Sequence, residues 1–182
     1  MPDFRNRNSI KQILKKSEVL PIGCNLYNYE FKKDSNKSPI ILWNHRWEYD
    51  KNPELFFKIL EELNDENISF SLIVLGQKHK EYPEIFDSAF KKLRERIIHF
   101  GYCDSYKEYM EYIRMSNILP VTSMQDFFGI SIVEAVSCGN IPLLPNRLSY
   151  PEIFDYNNNR NLFYKNENDL KKKLIYSIKN IS

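Results

Sequence analysis

Ile118-Leu119-Pro120-Val121-Thr122-Ser123-Met124-Gln125-Asp126-Phe127-Phe128-Gly129-Ile130-Ser131-Ile132-Val133-Glu134 passes from a short apolar run, through a polar loop, into an amphipathic run that continues through Ala135 and Val136. That is the pattern of a strand, a loop and a helix. With Gly129 at the mouth of the helix, the amides of Gly129, Ile130 and Ser131 have no intrahelical acceptor and face outward, where the helix dipole favours an anion. Helical side chains tilt toward the N-terminus, so Glu134 leans back toward that mouth, and Asp126 flanks it from the loop. Two carboxylates on either side of an anion site suit a ligand with phosphates in its middle and hydroxyls at its ends.

Strand and helix candidates alternate along the chain, without an internal sequence repeat. Apolar runs at 40–44, 70–75, 97–100, 118–121, 141–144 and 161–164 read as strands, and helical spacing predicts helices over 53–65, 83–95, 105–115, 130–138 and 168–178. Pro53 sits where a first-turn proline belongs, with Asn52 before it as N-cap. Strands and helices that alternate, with continuous apolar strand runs, imply a parallel sheet of about six strands covered on both faces: an α/β, Rossmann-like fold. Ligands bind such sheets at the carboxyl ends of the strands, so the loops at 44–52, 76–82, 101–104, 122–129 and 145–150 are where chemistry belongs. Ahead of this domain (39–182), residues 1–38 read as an N-terminal helix over 9–17, a short extended piece at 19–23 and a polar linker over 27–38.

At 182 residues with 42% hydrophobic side chains the chain can bury one core, and a net charge of +2 gives no global field for nucleic acid. Cys24, Cys103 and Cys138 are odd in number and widely spaced, which fits a reducing, cytoplasmic setting better than a disulfide or zinc framework. No apolar run is long enough to span a membrane. His45, His79 and His99 share no ligand spacing, no metal site is legible, and His99 reads as a core or edge histidine.

In the first loop Arg46 and Lys51 stand five apart just ahead of a helix, a fork and a point charge able to hold a diphosphate from two sides. Gly76 closes the second strand, where a glycine lets a ligand approach the backbone. Gly101 and Tyr102 follow the third. Taken singly these residues have plainer readings: Arg46 and Lys51 as a solvated pair beside Glu48 and Asp50, Asp126 as a helix-capping residue, Glu134 as a surface carboxylate, Phe127 and Phe128 as core fillers, and Lys171-Lys172-Lys173 as a solvated helix face.

Taken in order, Arg-x4-Lys after the first strand, glycine at the end of the second, Phe-Gly-Tyr after the third and acid-x-Phe-Gly-x4-Glu in the fourth unit resemble the C-terminal donor domain of retaining GT-B glycosyltransferases. Trp43-Asn44-His45-Arg46-Trp47-Glu48 and Asn146-Arg147-Leu148-Ser149-Tyr150-Pro151-Glu152-Ile153 resemble, more closely, signatures of the tRNA-queuosine mannosyltransferase family, over about residues 18–164. The resemblance implies one half of a GT-B fold. It implies that Arg46 and Lys51 bind the donor diphosphate, that Asp126 contacts the donor sugar and that Glu134 holds the ribose. Phe128, Gly129 and Ile130 would offer backbone donors to the phosphate, and Gly101 and Tyr102 would lie by the base. GDP-mannose is the implied donor, queuosine in tRNA the implied acceptor, and no cofactor is implied beyond the nucleotide sugar. Asp126 departs from the family's glutamate by one methylene, about 1.5 Å of reach. The Rossmann-like half that supplies the acceptor site in this fold has no counterpart in these residues, so two expectations stand: a hexosyltransferase, or a non-catalytic module completed by a separate N-terminal Rossmann-like chain.

Overall fold

A computed structural model of the chain describes residues 7–18, 20, 23–24, 38–78 and 81–181. Six parallel strands, β1 (Ile40–Trp43), β2 (Ser71–Leu75), β3 (Ile97–Gly101), β4 (Ile118–Pro120), β5 (Ile141–Pro145) and β6 (Phe163–Tyr164), form one sheet in the order β3-β2-β1-β4-β5-β6. The chain lays down β1 to β3 in one direction, then crosses back to place β4 on the other side of β1. The carboxyl ends of β1 and β4 therefore flank the switch point of the sheet, the place where ligands of such sheets bind.

Successive residues of a strand face opposite sides, and here both sides are covered. Ile41, Trp43, Leu72 and Val74 pack under α2 (Pro53–Asp65), α3 (Ile85–Lys92) and α7 (Glu167–Asn180), while Ile40, Leu42, Ile73 and Leu75 pack with α4 (Tyr106–Met115), α5 (Ile130–Ser137) and α6 (Tyr150–Ile153). Burial on both faces is why the strands read as unbroken apolar runs. The helix over 53–65 has the bounds expected of it, with Asn52 at a left-handed φ of 53° accepting a hydrogen bond from the Leu55 amide.

Several boundaries differ from expectation for local reasons. The helix expected over 83–95 spans only Ile85–Lys92, because the chain tightens into a 3₁₀ turn at Arg94–Arg96 that delivers β3. A second 3₁₀ turn, Arg160–Leu162, takes the first half of the strand expected at 161–164. The four-residue α6 was not expected at all, since one turn carries no periodicity. In the N-terminal segment α1 spans Arg7–Leu14, two residues earlier at its start than expected. Val19, Pro21 and Ile22 of the extended piece and residues 27–37 of the linker lie outside the described residues. Among the described residues no helix is long and apolar enough to cross a membrane.

Candidate nucleotide-sugar site

The first loop leaves β1 as an anchored strap. Trp43 is buried and donates its indole N–H to the His45 carbonyl at 2.9 Å, and Trp47, equally buried, stacks on Phe86 with ring centroids 4.3 Å apart. Asn44 reaches across to α5 and donates to the Ser131 carbonyl at 2.7 Å. With its neighbours turned inward, Arg46 alone among residues 43–47 projects outward: its side chain is 61% exposed and pairs with Glu48 at 2.9 Å. Gly76, with φ of +135°, lies directly against this strap. A Cβ there would overlap the His45 carbonyl and come within 2.8 Å of the Trp47 ring, so the space expected for a ligand is filled by the protein's own loop. Only the backbone of Gly76 is left to line the adjoining cleft.

Lys51 differs from Arg46 in kind. Its side chain is only 8% exposed, and its ammonium donates to the Gln125 carbonyl at 2.7 Å, pairs with Asp50 at 3.1 Å and lies 3.9 Å from Asp126. The loops after β1 and β4 are laced together around it. The Asp50 carbonyl accepts from the Met124 amide at 2.7 Å, and the Thr122 hydroxyl donates to the Lys51 carbonyl at 2.7 Å. The solvated pair of the plainer reading thus describes Arg46 with Glu48 and fails for Lys51, which the Gln125 carbonyl and two carboxylates hold in place.

Asp126 does not cap α5, whose N-cap Gly129 has φ of 81° and no side-chain cap. Its carboxylate instead accepts from the Tyr150 hydroxyl at 3.0 Å. Burial, with Asp126 alongside, pushes the Tyr150 phenol well above its usual range, so it stays a donor and fixes the carboxylate. Arg147 adds a second tie from the same segment, donating to the carbonyls of Ser123 and Thr122 at 3.1 and 3.2 Å. Neither role was legible in sequence; the string 146–153 flagged the segment without saying what its side chains reach. Gly129 is tight as well as left-handed, with Tyr150 3.2 Å from where a Cβ would stand. Phe128 is half-buried, but Phe127 is 91% exposed, a correction to its reading as a core filler.

Glu134 lies on the other side of α5, accepting from the hydroxyls of Tyr109 at 3.0 Å and Tyr106 at 3.3 Å. Burial first, and then Glu134, raise the Tyr109 phenol far above its usual value, so it too remains a donor. Two adjoining clefts result. One of about 450 Å³ is lined by Arg46, Gly76, Tyr102, Ile130, Ser131 and Glu134 among others, and one of about 760 Å³ by Arg46, Lys51, Asp126 and Phe127 among others. Arg46 lines both. Gly101, at φ of +140°, pairs its carbonyl with the Gly76 amide at 3.1 Å and sits just behind Tyr102.

His45 was not singled out for its chemistry, yet it is fully enclosed, and burial together with the charge of Lys51 lowers its imidazole from 6.5 to about 3. The folded chain therefore refuses a proton that the unfolded chain accepts below pH 6.5, and stability falls as pH drops from there toward 3. Urea denaturation should show a loss of roughly 2 kcal/mol between pH 6.5 and 5 that His45→Gln largely removes from the slope, whatever that variant does to stability at pH 7.5. An unchanged slope would place the titration elsewhere.

The family model of glycosyl transferases group 1 matches residues 28–181. The tRNA-queuosine alpha-mannosyltransferase of Drosophila melanogaster is 33% identical over 183 residues, covering 95% of this chain and 47% of that protein, so the chain spans about half the length of this relative. Among solved structures, TarM superposes with a TM-score of 0.70 at 17% identity, over 96% of this chain and 36% of TarM. An E. coli trehalose-6-phosphate structure bound with UDP-2-fluoro glucose gives 0.58 at 11% identity, over 98% of this chain and 40% of its own. At these identities the structures establish the fold, an α/β domain corresponding to one half of GT-B glycosyltransferases.

Proposed function

The chain belongs to the glycosyl transferases group 1 family, and from that premise we propose that it binds a nucleotide-diphosphate sugar and transfers the hexose with retention, as the donor half of a glycosyltransferase. The observation that carries this reading is the meeting of the two clefts at Arg46, beside the opening of α5 and at the switch point of the sheet. The nucleoside takes the smaller cleft, its ribose hydroxyls on Glu134 and its base by Tyr102 and Gly101. The diphosphate spans Arg46 and the amides of Gly129, Ile130 and Ser131. The sugar enters the larger cleft against Asp126, whose carboxylate accepts its hydroxyls.

In transfer, the bond from the anomeric carbon to the β-phosphate oxygen breaks and a bond to the acceptor oxygen forms. The acceptor's proton passes to the departing phosphate on the same face. Arg46, the charge of Lys51 and the α5 dipole stabilise the negative charge that develops there, an arrangement that needs no cofactor. The likeness to the Drosophila enzyme makes GDP-mannose our proposed donor and queuosine in tRNA our proposed acceptor.

A second reading starts from the fold, in which the described sheet corresponds to one half of GT-B glycosyltransferases. In it, the chain keeps the donor pocket but transfers only when a separate Rossmann-like chain supplies the acceptor wall. Mixing the purified chain with GDP-mannose and queuosine-containing tRNA separates the two, since transfer by the chain alone refutes the second. For the donor itself, a thermal-shift panel of GDP, UDP and ADP sugars should raise the midpoint most with GDP-mannose. No rise with any of them would overturn both readings.

A further inference from the structure

Each oxygen of the Glu134 carboxylate carries its own phenol: Oε2 accepts from Tyr109 at 3.0 Å and Oε1 from Tyr106 at 3.3 Å. The two tyrosines stand at the start of α4, three positions apart and so on one face of the helix, with ring centroids 5.9 Å apart. That start is firmly built. Ser105 caps it, accepting from the Glu108 amide at 3.1 Å, and the Glu108 carboxylate reaches back to accept from the Asp104 amide at 3.1 Å. Helix α4 thus delivers two hydroxyl donors to a side chain of α5 within the 450 Å³ cleft that both helices line.

The two phenols are not equivalent. Tyr106 is 55% exposed and makes the longer bond, whereas Tyr109 is half-buried and makes the shorter. The Asn44 side chain, tied to the Ser131 carbonyl of α5 at 2.7 Å, bears on the Tyr109 phenol as well, so that hydroxyl is held between the loop after β1 and α5. An ionised carboxylate has about four acceptor positions, and one phenol on each oxygen leaves the others to the cleft. Two adjacent hydroxyls are the complement, since the oxygens of one carboxylate accept from both together when its plane is fixed. A carboxylate free to rotate loses that match.

We propose that Tyr109 is a positioning residue: its hydroxyl fixes the plane of Glu134 so that the carboxylate accepts both hydroxyls of a ribose, which makes the cleft selective for ribonucleotides over their deoxy counterparts. The inference rests on the reading of Glu134 as the ribose-binding group and names the residue that gives that group its selectivity. Tyr106 is replaceable in this arrangement, because a ribose hydroxyl takes up the position of its longer bond. Tyr109→Phe keeps the ring and its packing and removes only the donor.

The test is isothermal titration of the chain with GDP and with dideoxy-GDP, which lacks both ribose hydroxyls. The parent should prefer GDP by about 30-fold, since a site built to bond hydroxyls rejects the analogue without them. In Tyr109→Phe the preference should fall to about threefold while dideoxy-GDP binds within about twofold of the parent, because the loss lies in the hydroxyl contacts alone. Tyr106→Phe should keep the parent's preference within about twofold, and in a Glu134→Gln background Tyr109→Phe should add no further loss. An unchanged preference in Tyr109→Phe, or an equal weakening of both nucleotides, would make Tyr109 a packing residue and overturn the inference while the Glu134 reading stands. A fall in Tyr106→Phe as large as in Tyr109→Phe would overturn the division between the two phenols. A parent that binds GDP and dideoxy-GDP alike, or neither, would overturn the ribose reading of Glu134 and the inference with it.

Discussion

Arg46→Ala should weaken GDP binding by about 10- to 100-fold and slow hexose transfer by about 10³-fold, while the thermal midpoint stays within about 2 °C of the parent. The unequal effects follow from where the guanidinium stands. Its side chain is mostly in solvent and its partner is the surface carboxylate of Glu48, an arrangement that contributes little to folding. What it can offer is a planar fork at the junction of the two clefts, where a diphosphate would meet it as a bidentate acceptor. Charge on the bridging oxygen grows as the sugar leaves, so the loss in turnover exceeds the loss in affinity. Arg46→Lys should recover part of the affinity and little of the turnover, since an ammonium supplies charge without the fork. Isothermal titration with GDP checks the first figure, and unchanged affinity would remove Arg46 from the pocket.

The strap that carries Arg46 explains why so short a stretch of sequence was informative. Trp43 and Trp47 bury against α2 and α3, Asn44 bonds to α5, and Gly76 supplies the gap into which the His45 carbonyl fits. The position of Arg46 at the junction of the two clefts is thus set by neighbours that are themselves buried. Trp47→Ala would take the strap's anchor from the Phe86 ring and leave Arg46 on a loop free to wander.

Much of the fold was legible because parallel strands buried on two faces must be apolar throughout, and because Asn52 and Pro53 mark a helix start by local geometry alone. Glu134 and the mouth of α5 were legible for the same reason: a fixed helical spacing relates them. What escaped the sequence depends on contacts between segments far apart in the chain. The burial of Lys51 arises from a loop 74 positions away that supplies the Gln125 carbonyl, and the tie from Tyr150 to Asp126 spans 24 positions. No periodicity encodes which polar groups face one another across a sheet edge. Phe127 and Phe128 are the sharpest case, identical neighbours in the sequence of which one is half-buried and the other stands in solvent, because the backbone turns into Gly129 between a tight wall and an open cleft.

Lys51→Ala should behave quite differently from Arg46→Ala, costing about 3–5 kcal/mol of stability and lowering the midpoint by about 10 °C, with transfer lost as well. Removal of the ammonium leaves the Gln125 carbonyl without its donor and places Asp50 and Asp126 in a poorly solvated corner with no cation between them. The two carboxylates then repel across the seam that joins the loops after β1 and β4. Asp126 retains the Tyr150 hydroxyl but loses its nearest positive charge, so its orientation toward a sugar suffers along with the diphosphate site. Lys51→Met fills the space without the charge and should regain some packing but no transfer. Asp50→Asn in the Lys51→Ala background should restore several degrees by relieving one of the two half-buried carboxylate charges, again without activity. Calorimetric midpoints for the three variants decide the matter: if Lys51→Ala melts with the parent, the lysine is a solvated cation after all, and the seam is held by its backbone hydrogen bonds alone.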